Sequence, residues 1–154
     1  DSMRPGRLLI PAQVIDYTWG SEHTFDEGEG GAMLHIDFTE PYDQSMRQRL
    51  LEAAKQAGEN VLESATYGCT QGPRLETAAE IVRMKRDGCD LVGMTGMPEA
   101  ALARELELPY ATLAVVANHA AGMGDSSRRI SIDAIAPVLE KAMVRTRKIL
   151  AVLN

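Results

Sequence analysis

Two short polar segments carry the side chains of this chain that are best suited to chemistry. Residues 72–77 read Gly-Pro-Arg-Leu-Glu-Thr, and residues 93–99 read Gly-Met-Thr-Gly-Met-Pro-Glu. Each combines glycine and proline where a strand is predicted to end and a helix to begin. In α/β proteins ligands bind at the carboxyl ends of strands, where loops converge and helix N-termini offer free N–H groups. The two segments therefore predict a ligand site.

Glu76 and Thr95 are the side chains in these segments that can contact a ligand directly. The Glu76 carboxylate can accept a ligand N–H, and it can equally be an acid favoured by the dipole of the first helical turn, where we place it. The Thr95 hydroxyl can face an anion beside helix N-terminal N–H groups. It can equally cap the helix, with Met94 in the core.

Asn118 follows a third apolar run, residues 113–117. Its amide both donates and accepts, so it can pair with the edge of a heterocycle or form a turn. The adjacent His119 is either an acid/base group or a structural, solvated histidine. His35, Cys69 and Cys89 add no paired metal-ligand spacing, and there is no Gly-x-Ser-x-Gly, Walker or Gly-x-Gly-x-x-Gly motif. We expect no metal site and a mechanism without a covalent intermediate.

The composition is that of one globular domain over residues 1–154, with 45% hydrophobic and 25% charged residues. The net charge of −6 argues against nucleic-acid binding, although local N–H and hydroxyl groups can still hold phosphate. Two cysteines fit a reducing cytoplasm. The chain has no apolar run of the roughly 18 residues needed to cross a membrane.

The hydrophobic periodicity predicts elements in the order β, β, α, β, α, β, α, β, α, which favours an α/β fold with a largely central sheet. We expect strands over residues 8–18, 35–38, 60–70, 90–95 and 110–117, and helices over residues 41–58, 73–88, 98–106 and 133–153. Pro11 should bend the first strand or confine it to an edge. The apolar run from residue 110 predicts a strand buried on both faces. Residues 19–33 and 118–131 are predicted loops.

Residues 70–77, 93–99 and 118–122 together resemble the trimeric purine nucleoside phosphorylase and methylthioadenosine phosphorylase family. Residues 15–18 and 35–37 also fit, so the likeness covers nearly all of the chain in order. It is closest to the bacterial S-methyl-5'-thioinosine phosphorylases. The resemblance implies a three-layer fold with a central mixed sheet flanked by helices, and a homotrimer with sites at subunit interfaces.

The family reaction implied by this resemblance is an attack of phosphate on C1' of a purine nucleoside, which releases the base and a ribose 1-phosphate through an oxocarbenium-like transition state. Phosphate is a co-substrate, and no metal or organic cofactor is implied. The family's N-terminal part, with its glycine-rich phosphate loop, would precede Asp1. We therefore expect the chain to be the C-terminal portion of such a domain and to lack much of the phosphate site.

The family's site residues carry over onto matching positions of this sequence. The catalytic contacts to the base fall to Glu76, which matches the acid that bonds N1–H of a 6-oxopurine, and to Asn118. Leu75 matches the apolar contact on the base, Met94 the contact to the ribose hydroxyls, and Thr95 the hydroxyl that contacts phosphate.

The pair Glu76 and Asn118 favours a 6-oxopurine on physical grounds. Hypoxanthine and guanine present O6, which needs the donor that an asparagine amide supplies, whereas the amino group of adenine needs an acceptor. A mismatch leaves a buried polar group unpaired, at a cost of about 1–3 kcal/mol. Ala120 replaces an acid that adenine-specific relatives use near N7, so protonation there needs another group or water.

Two further positions concern the sugar. Ile132 falls where ordinary nucleoside phosphorylases carry a histidine for the 5'-hydroxyl, and it would instead pack a methylthio group. His35 matches a histidine that reaches the 5' side of a neighbouring subunit's site. The resemblance therefore implies phosphorolysis of S-methyl-5'-thioinosine. The alternatives are a 6-oxopurine nucleoside phosphorylase acting on inosine or guanosine, a methylthioadenosine phosphorylase, and a non-catalytic purine-binding module.

Overall fold

The computed structural model of the chain describes residues 3–26 and 34–153, which fold as α/β. The strands are β1 (Leu8–Leu9), β2 (Gln13–Tyr17), β3 (Val61–Leu62), β4 (Thr66–Thr70), β5 (Leu91–Gly93) and β6 (Ala114–Val115). The helices are α1 (Gln44–Gln56), α2 (Ala78–Arg86), α3 (Glu99–Glu105) and α4 (Ile132–Ala151), with a 3-10 turn at Gly124–Ser126. The predicted α/β class is confirmed.

The strands form a mixed arrangement in two three-stranded sheets. In the order β3-β1-β6, β1 is parallel to β3 and antiparallel to β6. In the order β2-β4-β5, all strands are parallel. Backbone hydrogen bonds from Ile10 to Leu62 (2.8 Å) and from Ala12 to Ala65 (2.9 Å) link the two sheets across the interruption at Pro11. The predicted bend at Pro11 is confirmed, because a residue without an N–H cannot continue the ladder.

Two predicted strands were wrong in extent or type. Residues 35–38 form no strand, because the Asp37 carboxylate accepts the N–H (3.0 Å) and the hydroxyl (2.8 Å) of Thr39 and turns the chain instead. The run over residues 110–117 pairs only at Ala114–Val115, and it is half-buried rather than buried on both faces. The predicted loop over residues 19–33 is described only as far as residue 26, and the rest lies outside the described residues.

The start of α2 also differs from the prediction. The helix begins at Ala78 instead of residue 73, because Thr77 and Glu80 form a capping box. The Thr77 hydroxyl accepts the Glu80 N–H (3.2 Å), and the Glu80 carboxylate accepts the Thr77 N–H (2.7 Å). This exchange satisfies the N–H donors of Thr77 and Glu80 and leaves residues 73–76 outside the helix. Glu76 therefore does not lie in a first helical turn.

Two apolar clusters hold the elements together. The first joins β1, α1 and α4 through Leu8, Ala53, Ala54, Ala142 and Ile149. The second joins β4 to α3 through Tyr42, Cys69, Met97, Ala100 and Ala101, and it lies beneath the segments that follow β4 and β5. Full burial of a side chain such as Leu8 or Ile149 contributes about 1.5–3 kcal/mol. Among the described residues, no helix has both the length and the apolar character to cross a membrane.

Candidate active site

The carboxyl ends of β2, β4 and β5 meet at one edge of their parallel sheet. The register pairs Tyr17 with Thr70 and Cys69 with Gly93, so the three strands end side by side. The segments that follow β4 and β5 are the two polar turns singled out by the sequence, and each contains a cis peptide bond before its proline. The predicted convergence of these turns is confirmed.

A cleft of about 630 Å³ opens at this edge. It is lined by Asp16, Tyr17, Thr18, Trp19, Thr70, Gln71, Gly72, Arg74, Glu76, Glu80, Arg83 and Met84. The lining therefore comes from the ends of β2 and β4 and from one side of α2. Its volume lies within the range usual for small-molecule sites.

Glu76 is fixed in this cleft by Thr70, the last residue of β4. The Thr70 hydroxyl donates to Glu76 Oε1 at 2.6 Å, and it lies 3.2 Å from the carbonyl oxygen of Gly93. Thr70 is buried, whereas Glu76 is half-buried. Within the described part of the chain, Glu76 Oε2 has no hydrogen-bond partner. The arrangement presents a carboxylate oxygen that can accept an N–H from a ligand.

Met94 lies against the turn that carries Glu76. A Cβ added to Gly72 would come within 2.8 Å of Met94 Sδ, so the methionine occupies the space that a side chain at position 72 would need. Met94 is half-buried at the end of β5. The structure thus brings the turn after β4 and the turn after β5 into direct contact.

Tyr67, in the middle of β4, holds the turn after β5. Its hydroxyl accepts the N–H of Thr95 at 3.2 Å and lies 3.4 Å from the Thr95 hydroxyl. A Cβ at Gly96 would come within 2.5 Å of the Tyr67 ring, and a Cβ at Gly93 would clash with its hydroxyl. The ring therefore packs between two residues that have no side chains, and the exposed Thr95 is held on a fixed backbone.

Burial raises the pKa of the Tyr67 hydroxyl, and the hydrogen bonds with Thr95 oppose that effect only in part. Tyr67 thus stays a neutral phenol at physiological pH. It accepts the Thr95 N–H as a neutral group and places no negative charge beside the Thr95 hydroxyl, which suits a site for an anionic ligand. Thr95 lies upstream of Glu99, where α3 begins after Pro98, so Thr95 is not the helix cap considered from the sequence.

Arg74 and Glu80 form an ion pair across the mouth of the cleft. The guanidinium donates to both carboxylate oxygens of Glu80, at 2.7 and 2.9 Å. These bonds, followed by the bond from the Thr77 N–H, lower the pKa of Glu80 to about 2. The same pairing raises the pKa of Arg74. Arg74 is thus paired with the start of α2.

Asn118 lies after β6, in a loop that packs against α2. A Cβ at Gly122 would come within 2.8 Å of the Ala78 side chain, which shows how closely the loop approaches the first residue of α2. Asn118 is half-buried, and its Nδ2 donates one hydrogen to the His119 carbonyl at 2.7 Å. It is not among the residues that line the cleft. His119 Nδ1 is buried and lies 3.8 Å from Asp125 Oδ2.

Three other predicted positions are exposed and lie outside the cleft lining. Leu75 is 43% exposed on the turn that precedes α2, and Ile132 is 64% exposed at the first residue of α4. His35 is exposed in the segment before α1. Of the predicted site residues, only Glu76 lines the cleft. Met94 lies against Gly72 in the turn that carries Glu76, and Thr95 follows Met94 on the turn after β5. The roles of all these residues stay predictions.

Sequence reasoning missed Thr70 and Tyr67. Both lie within β4, where a threonine and a tyrosine are ordinary strand residues. The available signal was a strand that ends in a hydroxyl directly before Gln71-Gly72-Pro73, opposite a glycine-rich turn. In the described ranges there is no group of three or more His, Cys, Asp or Glu side chains that could hold a metal ion.

The chain is similar in sequence and in fold to known phosphorylases. A model of the Phosphorylase superfamily matches residues 1–153. A protein of Xanthomonas campestris pv. campestris named "Probable S-methyl-5'-thioinosine phosphorylase" is 59% identical over 126 residues, which are 82% of this chain and 50% of that protein. A 6-oxopurine nucleoside phosphorylase of Pyrococcus furiosus is 44% identical over 144 residues, which are 90% of this chain and 54% of that protein.

A solved structure shows the same similarity. Methylthioadenosine phosphorylase from Schistosoma mansoni in complex with adenine matches with a TM-score of 0.91 at 28% identity, over 99% of this chain and 60% of that chain. The present chain thus spans between 50% and 60% of the length of these three proteins.

Proposed function

Because the chain belongs to the phosphorylase superfamily, we propose that the protein catalyses the phosphate-dependent cleavage of S-methyl-5'-thioinosine to hypoxanthine and 5-methylthioribose 1-phosphate. The relative that is 59% identical carries the name of that activity. The observation that carries the proposal is the hydrogen bond from Thr70 to Glu76. It holds a carboxylate at the strand-end edge, where a purine ring N–H would meet an acceptor.

Two groups recognise the base in this mechanism. Glu76 Oε2 accepts N1–H of the 6-oxopurine, and the free hydrogen of the Asn118 amide is donated to O6. As the bond between C1' and the base breaks, electrons move onto the purine, and the bond from Asn118 to O6 strengthens with the developing negative charge. This differential binding lowers the barrier for departure of the base.

The turn after β5 serves the sugar and the nucleophile. Tyr67 accepts the Thr95 N–H, and when the Tyr67 hydroxyl donates to Thr95 Oγ1, the Thr95 hydroxyl hydrogen is available for a phosphate oxygen. Met94 lies between this turn and Gly72, where it can contact the ribose. Holding phosphate against C1' turns a bimolecular attack into an effectively unimolecular step. Inorganic phosphate is the co-substrate, and no metal or organic cofactor takes part in the proposed reaction.

The proposed assembly is a homotrimer that works in the cytoplasm. The exposed His35 is free to reach the 5' side of a neighbouring subunit's site, and the exposed Ile132 is available to pack the methylthio group once subunits assemble. The free thiols of Cys69 and Cys89 suit a reducing compartment.

A second candidate function is phosphorolysis of inosine or guanosine. The relative from Pyrococcus furiosus carries the name of this activity. Both functions use Glu76 and Asn118 in the same way and differ only at the 5' substituent.

The test of the shared base site is Glu76→Gln, which keeps the size of the side chain and removes its charge. We expect kcat/KM for S-methyl-5'-thioinosine to fall by about 10- to 100-fold, since a hydrogen bond to a charged group contributes about 1.5–3 kcal/mol. Glu63→Gln, at an exposed position outside the cleft, is the matched control and should leave the rate unchanged. An equal kcat/KM for Glu76→Gln and the native protein would contradict the assignment of Glu76 to the base site.

A further inference from the structure

Thr70 stands between two acceptors with a single hydrogen to donate. Its Oγ1 lies 2.6 Å from Glu76 Oε1 and 3.2 Å from the Gly93 carbonyl oxygen. The residue is only 7% exposed, so water does not replace either partner readily. A hydroxyl has one hydrogen and two acceptor lone pairs, so it serves one of these acceptors at a time.

The carboxylate of Glu76 is the stronger of the two acceptors. A carboxylate accepts a hydrogen bond more strongly than a backbone carbonyl, and the short 2.6 Å distance fits a charge-assisted bond from Thr70 to Glu76. The Gly93 carbonyl oxygen, at 3.2 Å, is the more distant partner. The hydroxyl hydrogen is therefore directed to Glu76.

We infer that Thr70 is a positioning residue that sets the base specificity of Glu76. By donating to Oε1, it leaves Oε2 as the acceptor that Glu76, a residue of the cleft lining, can offer to a ligand. A 6-oxopurine matches this acceptor with N1–H, whereas a 6-aminopurine presents an N1 lone pair and is rejected. This inference rests on the proposed function, because it assumes that Glu76 meets the purine N1 position.

The same bond restricts the motion of Glu76. The carboxylate reaches back from residue 76 to residue 70 and closes the turn through Gly72 and Pro73. Since Glu76 is half-buried, its side chain would be free to move into solvent without this anchor. A ligand would then have to order the side chain on binding, and that ordering lowers affinity.

The test measures binding of hypoxanthine and adenine to the full chain by titration calorimetry. Thr70→Val keeps the shape and removes the donor, and Thr70→Ser restores the donor. Thr146→Val is the matched control, because Thr146 is equally buried at 7% and its hydroxyl donates to the Ala142 carbonyl within α4. Thermal melting of each variant reports whether the fold is kept, and Thr70→Ala replaces Thr70→Val if the valine variant does not fold.

We expect Thr70→Val to bind hypoxanthine about tenfold more weakly, because the unanchored Glu76 side chain must then be ordered on binding. Adenine binding should change little, so the ratio of the two affinities should fall by the same factor. Thr70→Ser should recover the native ratio, and Thr146→Val should keep it. A role for Thr70 in the fold alone would lower both affinities together and leave the ratio unchanged.

Two outcomes contradict the inference in distinguishable ways. If the native chain prefers hypoxanthine and Thr70→Val keeps that preference, Thr70 does not set specificity and the proposed function stands. If the native chain binds adenine as well as or better than hypoxanthine, the assignment of Glu76 to a 6-oxopurine fails, and the proposed function fails with it.

Discussion

The amide of Asn118 has two hydrogens, and the fold uses one of them. Nδ2 donates to the carbonyl oxygen of His119 at 2.7 Å, which fixes the orientation of the amide. The second hydrogen has no partner in the described part of the chain. An aspartate at this position would place a carboxylate oxygen against the His119 carbonyl and would offer no donor to O6.

Asn118→Asp should therefore move base preference away from 6-oxopurines. We expect the ratio of kcat/KM for S-methyl-5'-thioinosine over methylthioadenosine to fall by about tenfold or more, because an unpaired buried acceptor costs about 1–3 kcal/mol. Initial rates with both nucleosides measure the ratio. Asn60→Asp, an exposed position of the same residue type, should leave it unchanged. An unaltered ratio in Asn118→Asp would refute the role of the amide.

At the residue scale, the sequence predicted the positions of side chains on turns more accurately than the contacts of side chains inside strands. Glu76 and Thr95 follow the ends of the paired strands β4 and β5, so their place at one edge of the sheet could be expected from topology alone. Thr70 and Tyr67 act through the register of β4 with β5, and hydrophobic periodicity does not specify which glycine faces which ring. Their roles emerge only from three-dimensional neighbours.

At the scale of elements, the start of α2 is stabilised by charge as well as by caps. Glu80 completes the capping box with Thr77 and pairs with Arg74, so it joins the turn after β4 to the helix. The pairing lowers the pKa of Glu80 to about 2 from its ordinary value of 4.5. A lowered pKa in the folded state means that the stabilisation is present above the unfolded value and is lost as the pH falls.

Glu80→Gln should reveal that pH dependence. Glutamine keeps the capping geometry and removes the charge, so the native protein should unfold with the larger free energy at neutral pH. The difference in unfolding free energy between the native protein and the variant should shrink as the pH falls from 4.5 toward 2. Over this range Glu80 becomes protonated in the folded as well as in the unfolded state, so its charge no longer favours folding. Urea unfolding across this range gives the difference directly, and a constant gap would contradict the assigned charge effect.

The turn after β5 is specified by close packing of glycine on Tyr67. Gly96→Ala should destabilise the fold by about 1–3 kcal/mol, because its Cβ would meet a buried ring that has no room to move. Gly72→Ala is the matched control: its Cβ meets the flexible end of Met94, which can shift, so its cost should be smaller. Urea unfolding of both variants compares the costs, and equal costs would argue against the packing account.

The helices and strands were predicted best where a single sequence signal determines the structure. α1, α3 and the bend at Pro11 follow from periodicity and from the missing N–H of proline. At α2 two start signals compete, and the capping box at Thr77 prevails over the proline at residue 73. Residues 110–117 read as a buried strand, yet only Ala114–Val115 pair, because β6 meets β1 alone and lies at the edge of its sheet.

On the scale of the whole molecule, the predicted site residues fall into two groups: residues on the turns after β4 and β5, and exposed residues elsewhere on the surface. Glu76, Met94 and Thr95 are held within the chain, whereas His35 and Ile132 lie on its surface. No pattern in a single sequence says which surface another subunit covers. The proposed trimer would explain why residues that the family resemblance assigns to the 5' pocket are exposed in one chain.

Subunit complementation tests this division of the site. Glu76→Gln and His35→Ala should each lower activity alone, but a trimer that mixes them contains sites with native Glu76 from one chain and native His35 from its neighbour. Random mixing of the two variants should restore native turnover in about a quarter of the sites. Co-expressed chains with different tags allow the mixed trimers to be isolated and assayed. Activity no higher than that of the single variants would place His35 outside the shared site.

The most direct test of the account is turnover of S-methyl-5'-thioinosine, methylthioadenosine and inosine by the protein, measured side by side with and without phosphate. We predict turnover that requires phosphate and is fastest with S-methyl-5'-thioinosine. Faster cleavage of inosine would support the second candidate function and would contradict the proposed binding of a methylthio group by Ile132. Preference for methylthioadenosine would contradict the assignment of Glu76 and Asn118, and the absence of turnover with all three would leave a purine-binding module in place of an enzyme.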